Sequence, residues 1–199
     1  MGNIAIIDSG GANISSLLFA LQRLGRTAEL TTNAETIRSA DRVLLPGVGA
    51  ANDAMQRLSD AGLVDVIRKL KQPVLGICLG MQLLLDGSEE EDSGCLGIIP
   101  GVATQLPSSP AFPVPNMGWC ATRKLSAHSL LEGIPDNSYF YFLHSYALPV
   151  SDHTLATAEH QAPFSAVIGH DNFVGAQFHP ERSATVGAQL LRNFLDGTL

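Results

Sequence analysis

Gly76-Ile77-Cys78-Leu79-Gly80-Met81-Gln82-Leu83-Leu84-Leu85 carries an apolar strand, begun at Pro73, through a G-x-C-x-G turn and into an apolar helix. A nucleophile on a sharp strand-to-helix turn has neighbours packed too closely for side chains, so Gly76 and Gly80 supply the room and the turn pushes the reactive atom outward. At the first turn of a helix, unpaired N–H groups and the positive dipole end favour thiolate over thiol, and the amide of Leu79 can donate to an oxyanion. The stretch reads as a nucleophile elbow with sulfur as the attacking atom, Cys78. The ordinary alternative for a free cysteine is a small buried hydrophobe, the reading preferred for Cys95 and Cys120.

Working outward, the same strand-then-helix order recurs. Ile4–Asp8 is a β-branched strand followed by a Ser9-Gly10-Gly11 turn, and Ser15–Leu24 has apolar residues at Leu17, Leu18, Leu21 and Leu24, the 3.6-residue period of a helix that Gly25 closes. Strands at Thr27–Leu30, Arg42–Leu45 and Pro73–Ile77 alternate with helices at Ala34–Ala40 and Asn52–Leu70. This order predicts an α/β fold: an open, mostly parallel central sheet with helices on both faces, its ligands outside the carboxyl ends of the strands. After Gly101 the chain turns β-rich, with prolines at 107, 110, 113 and 115 and short strands at Tyr139–Leu143, Leu155–Ala158, Ala166–Ile168 and Phe173–Phe178. A final helix over Ala184–Leu195 covers the same sheet, so residues 1–199 are expected to form a single domain.

Composition narrows the function. A net charge of −7 over 199 residues leaves no basic field for a phosphate backbone, which argues against a nucleic-acid partner. With 45% hydrophobic and 16% charged residues the chain can bury a substantial core. Its apolar runs fall far short of the roughly 20 residues that span a bilayer, and Asn3–Asp8 reads as a first strand with no signal-peptide pattern. Three cysteines without a C-x-x-C pair suit neither a disulfide framework nor structural zinc, and point to a reducing, cytoplasmic compartment.

A thiolate nucleophile needs a base. Gln177-Phe178-His179-Pro180-Glu181 follows a strand about a hundred residues later; Pro180 disfavours helix at His179, and residues two apart on extended chain share a side, so Glu181 can orient the His179 imidazole. By itself the motif is equally a half-exposed histidine beside a charge, and its pairing with the elbow raises it. A third stretch, Pro46-Gly47-Val48-Gly49, follows a strand but lacks the endings of phosphate-binding loops; beside the elbow its N–H groups could serve an oxyanion. His128, His153, His160 and His170 read as surface residues, while His144, ending an aromatic strand, is either core or pocket wall. Glu89-Glu90-Glu91-Asp92 reads mostly as a solvated loop. No metal-binding pattern occurs, and neither a metal nor an organic cofactor is expected.

Together, Pro46–Gly49, Gly76–Gln82 and Gln177–Glu181 resemble the class I, triad-type glutamine amidotransferases. More narrowly, Ile4–Asn13, Val114-Pro115-Asn116-Met117-Gly118-Trp119, Tyr139–Tyr146 and His179–Ser183 look like the glutaminase subunits of imidazole glycerol phosphate synthases. The resemblance covers nearly the whole chain. It implies that Cys78 attacks the carboxamide of glutamine, that His179 protonates the departing ammonia and that Glu181 holds His179. It further implies that Gly47, Gly49, Gln82, Glu90 and the backbone around Ser145 and Tyr146 hold glutamine, Glu90 at its α-amino group, beside the oxyanion donors read above, the amides of the Gly47-Val48-Gly49 loop and of Leu79. A (β/α)8 cyclase subunit is the implied partner and takes the ammonia, with Asn116, Met117, Trp119 and Arg182 facing it. The chain departs from the family pattern Pro-His-x-Gly-Trp-Asn at two positions, where it has Asn116 and Cys120.

Overall fold

A computed structural model describes residues 2–10 and 14–198. Gly11 of the expected first turn and the end of the Ile4–Asn13 stretch lie outside the described residues. The N-terminal half runs β1 (Ile4–Ile7), α1 (Ile14–Arg23), β2 (Glu29–Thr31), α2 (Ala34–Ser39), β3 (Arg42–Gly47), α3 (Ala51–Asp60), α4 (Val64–Arg68), β4 (Val74–Cys78) and α5 (Leu79–Leu83). The second half continues with β5 (Leu85–Ser88), β6 (Ser93–Gly94), β7 (Ile99–Gln105), β8 (Asn116–Lys124), β9 (Ser138–His144), β10 (Tyr146–Ala147), β11 (Thr154–His160), β12 (Ala162–His170), β13 (Phe173–Ala176) and α6 (Ala184–Asp196).

Nine strands form one sheet in the order β2-β1-β3-β4-β13-β12-β11-β8-β9. The first five are mutually parallel; from β13 outward every pairing is antiparallel. The sheet is thus parallel where helices alternate with strands and antiparallel in the β-rich half. Side chains of β1 alternate between two cores: Ile4 and Ile6 pack with α1 and α6, while Ala5 and Ile7 pack with α2, α3, α4 and α5. Burial on both faces explains why β1 and β4 read as continuous apolar runs.

Two expectations need correction. The helix expected over Asn52–Leu70 is two, α3 and α4, because Gly62 takes a φ of +67° and the Leu63 amide donates back to the Leu58 carbonyl, ending the first. Gly25 ends α1 in the same way, at a φ of +71° with the Arg26 amide on Leu21. The helix after the elbow is only Leu79–Leu83: the carbonyls of Leu83, Leu84 and Leu85 are taken by amides of Leu96–Ile99, which draws the chain into a second sheet of order β10-β7-β5-β6. That sheet and the nine-residue strand β8 have no counterpart in the sequence reading. Among the described residues no helix is long and apolar enough to cross a membrane.

Register places the functional segments. β3 and β4 pair so that Gly47 lies opposite Cys78, and β13, which leads to His179, lies on the other side of β4. The elbow packs against β3 at Gly80, where a Cβ would fall 1.7 Å from the Leu45 carbonyl oxygen, and a Cβ at Gly76 would fall 2.6 Å from the Gly80 carbonyl oxygen. Since both contacts are with backbone, Gly80→Ala is expected to cost at least about 3 kcal/mol or to prevent folding. Gly94→Ala, whose Cβ meets nothing within 4 Å, should stay within about 1 kcal/mol of the parent; urea unfolding of the two variants checks the contrast.

Candidate active site

Cys78 ends β4 with φ 54° and ψ −113°, a conformation that non-glycine residues avoid and that costs on the order of 1–3 kcal/mol. The surrounding glycines and the β3–β4 pairing hold it there, and the turn directs the thiol into a cavity of about 250 Å³. Val48, Gly49, Leu79, Gln82, Glu90, Ser145, Tyr146, His179 and Arg182 all line that cavity. Residues separated by more than a hundred positions therefore meet at the carboxyl ends of β3, β4 and β13. Gly47 sits just beneath, on a much smaller void of about 20 Å³ that also touches His179 and Glu181.

His179 Nδ1 lies 2.9 Å from Glu181 Oε1, and both side chains are almost fully buried. A carboxylate only accepts, so Nδ1 carries the proton and Nε2 is left for the sulfur. The reach differs from the one expected on extended chain. Pro180–Arg182 forms a 3-10 turn with Pro180 at its start, and this turn brings Glu181 back under the ring. Burial of the ring works to lower its pKa, but hydrogen bonds to Cys78 and Glu181, and the charges of both, outweigh it and push the value up to about 10. The arrangement favours the imidazolium form of His179. Glu181 Oε2 finds no hydrogen-bond partner among the described residues.

The His179 backbone is clamped as well. Its amide donates to the Tyr141 carbonyl, and its carbonyl accepts from Ser183 Oγ at 2.7 Å, the same oxygen that accepts the Tyr141 amide at 2.9 Å. Ser183 was quoted in the sequence only as part of a motif; its role rests on a partner 42 positions away. Gln177 was likewise missed: fully buried, it accepts from Gln82 Nε2 at 3.0 Å and places its own Nε2 3.9 Å from Cys78 Sγ. Gln82 also donates to the Tyr146 carbonyl at 2.8 Å. Glu90 leaves the solvated reading of its neighbours, because its Oε2 caps the Ala51 amide at 3.0 Å and so fixes the carboxylate at the cavity wall.

On the outer strands, β8 and β9 pair Met117 with Leu143 and Trp119 with Tyr141. Met117, Trp119 and Tyr139 are more than half exposed and form an apolar face. Arg182 is exposed and lies 5.0 Å above the Tyr141 ring, a cation–π contact. Asn116, expected at the partner surface, is buried: it faces inward opposite His144, its Nδ2 lies 3.1 Å from His144 Nε2, and its Oδ1 accepts from the Cys120 thiol at 3.6 Å. The two departures from the family pattern are thus bonded to each other. His144 is both core and pocket wall. Of the other cysteines, Cys95 is buried with its pKa raised to about 11 by desolvation, and Cys120 is partly buried. Among the described residues no cluster of three His, Cys, Asp or Glu could hold a metal.

A class-I glutamine amidotransferase family model matches residues 5–197. The chain is 52% identical to the imidazole glycerol phosphate synthase subunit HisH of Pasteurella multocida strain Pm70, with 98% of each chain covered. It is 47% identical to the HisH subunit of Xanthomonas axonopodis pv. citri strain 306, again over 98% of each. A solved glutamine amidotransferase superposes with a TM-score of 0.76 at 18% identity over 98% of both chains. PurLQS from Thermotoga maritima gives 0.72 at 15% identity, covering 98% of this chain and 99% of that one.

Burial lowers the His144 pKa to about 4, only partly offset by its hydrogen bond to the Tyr146 carbonyl. The unfolded chain therefore binds this proton first as pH falls, and stability should drop by about 3 kcal/mol between pH 6.5 and 4 on account of this residue. The raised His179 value acts in a different window, above pH 6.5, where its stabilisation is lost as pH rises toward 10. Urea unfolding from pH 7 to 4 should show a shallower acid loss in His144→Gln than in the parent.

Proposed function

Because the chain belongs to the class-I glutamine amidotransferase family, alongside the HisH subunits of imidazole glycerol phosphate synthase, we propose that its glutaminase reaction runs on Cys78, His179 and Glu181. The observation that carries this reading is the strained Cys78 at the mouth of the cavity with the buried His179–Glu181 pair beside it. Cys78 thiolate attacks the carboxamide carbon of glutamine, and the oxyanion receives hydrogen bonds from the Leu79 amide and the N–H groups of the Gly47–Gly49 loop. His179 gives its proton to the leaving nitrogen, ammonia departs, and a γ-glutamyl thioester remains. Water then attacks the thioester while His179 takes up a proton, releasing glutamate and restoring the thiolate.

Substrate is held at the opposite wall. Glu90, with Oε2 already on the Ala51 amide, keeps Oε1 for the α-ammonium, and Gln82 with the Ser145–Tyr146 backbone lines the remainder. Ammonia passes to a (β/α)8 cyclase subunit, which combines it with a phosphoribulosyl-formimino intermediate to give imidazole glycerol phosphate and aminoimidazole carboxamide ribotide in histidine biosynthesis. The apolar face of Met117, Trp119 and Tyr139, with Arg182 at the cavity rim, supports that side as the docking surface. One nine-stranded sheet running through both halves supports reading residues 1–199 as one amidotransferase domain. Three free cysteines and the biosynthetic role support a cytoplasmic location. The proposed chemistry calls for no metal or organic cofactor.

Glutamate formation by the full chain, mixed with an imidazole glycerol phosphate cyclase subunit and its nucleotide substrate, tests the assignment. Cys78→Ala should abolish turnover, a loss of at least about 10³-fold, and Glu181→Gln should lower kcat by about 10²–10⁴-fold with little change in KM. Full turnover by Cys78→Ala would remove the proposed nucleophile.

A further inference from the structure

A set of buried amides runs from β8 to the sulfur, and the orientation of each is fixed by its neighbours. His144 Nδ1 lies 2.9 Å from the Tyr146 carbonyl oxygen, an atom that only accepts, so Nδ1 carries the hydrogen. In the neutral ring Nε2 then accepts, and the Asn116 atom facing it at 3.1 Å is the donor Nδ2. This leaves Asn116 Oδ1 for the Cys120 thiol. The Tyr146 carbonyl takes a second hydrogen bond from Gln82 Nε2 at 2.8 Å, which fixes the Gln82 amide. The other N–H of that nitrogen goes to Gln177 Oε1 at 3.0 Å, which fixes the next amide in turn. Gln177 has no choice of orientation: it must present Nε2 to Cys78 Sγ, 3.9 Å away. Being fully buried, it is shut off from bulk solvent.

We propose that Gln177 is a further catalytic residue of the glutaminase reaction, its amide N–H donating to the Cys78 thiolate, with Gln82 as the residue that sets its orientation. The proposal rests on Cys78 being the nucleophile. A hydrogen bond to the ionised form stabilises that form, and here the donor belongs to a residue that does not line the substrate cavity. It therefore acts on the free thiolate, before attack and on its release, without competing for the carboxamide. His179 supplies charge and a mobile proton, whereas Gln177 supplies a donor that cannot be deprotonated near neutral pH. Together they hold the free sulfur anionic before it attacks the carboxamide, and again when water attack on the thioester releases it as the leaving group.

The test is the pH dependence of Cys78 alkylation by iodoacetamide in the full chain, followed by peptide mass mapping so that Cys95 and Cys120 are scored separately. The groups around the sulfur that shape this profile are His179, with Glu181 behind it, His144, Tyr146, and Glu90 and Arg182 across the cavity. The midpoint therefore belongs to the coupled Cys78–His179 pair. Gln177→Glu replaces the donor with a carboxyl oxygen and should raise the midpoint by at least about one pH unit, slowing alkylation by roughly tenfold at pH values below the parent's midpoint. Gln177→Met removes the donor without adding charge and should slow it several-fold, with kcat of the partnered enzyme falling and KM for glutamine holding within about twofold. It also carries the comparison should Gln177→Glu fail to fold. A wild-type midpoint in either variant, with parental circular dichroism and melting, overturns the role of Gln177. A parent chain whose Cys78 labels no faster than buried Cys95 overturns the nucleophile assignment instead, so the two failures are distinct.

Discussion

Gly80 approaches the Leu45 carbonyl so closely that no side chain fits between them, and the arrangement of the site follows from that contact. It presses the elbow against β3 while β3 and β4 pair in a register that sets Gly47 opposite Cys78. The glycine loop and the nucleophile are consequently two ends of adjacent strands and share one environment. β13, pairing β4 from the other side, delivers Gln177 and His179 to the same place. Three strand ends thus converge on one sulfur, the position at which an open parallel sheet collects its ligands.

Around this constraint the protein spends polar groups in buried places, where an unmet donor or acceptor costs heavily. Ser183 joins β9 to the residues after β13 by serving Tyr141 and His179 at once. Gln82 and Gln177 bridge the elbow, β13 and the Tyr146 carbonyl. These bonds explain how a strained cysteine and a buried histidine keep a fixed geometry in a cavity that must stay open for substrate.

What could be read from the sequence was what is local. The strand–helix alternation, the flanking glycines and the H-P-E turn each announce themselves within a few residues, because backbone sterics and the 3.6-residue period act at short range. Gln177 gave no such sign: its partners are Gln82 and Cys78, 95 and 99 positions away. The small second sheet was hidden because its strands are held by carbonyls of the very run, Leu83–Leu85, whose apolar character suggests more helix. On β8 the usual rule of polar residues outward is reversed. Asn116 faces in and Met117 and Trp119 face out; the resemblance that set Asn116 beside Met117 and Trp119 as a surface group carried no information on which side of the strand each would take.

The bond between Cys120 and Asn116 also bears on substitution. Each replaces a different residue of the family pattern, and each satisfies the other inside the protein. Were one of them alone replaced by the residue of the family pattern, the other would lose its partner, next to a histidine that already needs Asn116 as its donor. The two sites are therefore not independent positions: a change at either one alters the buried surroundings of the other.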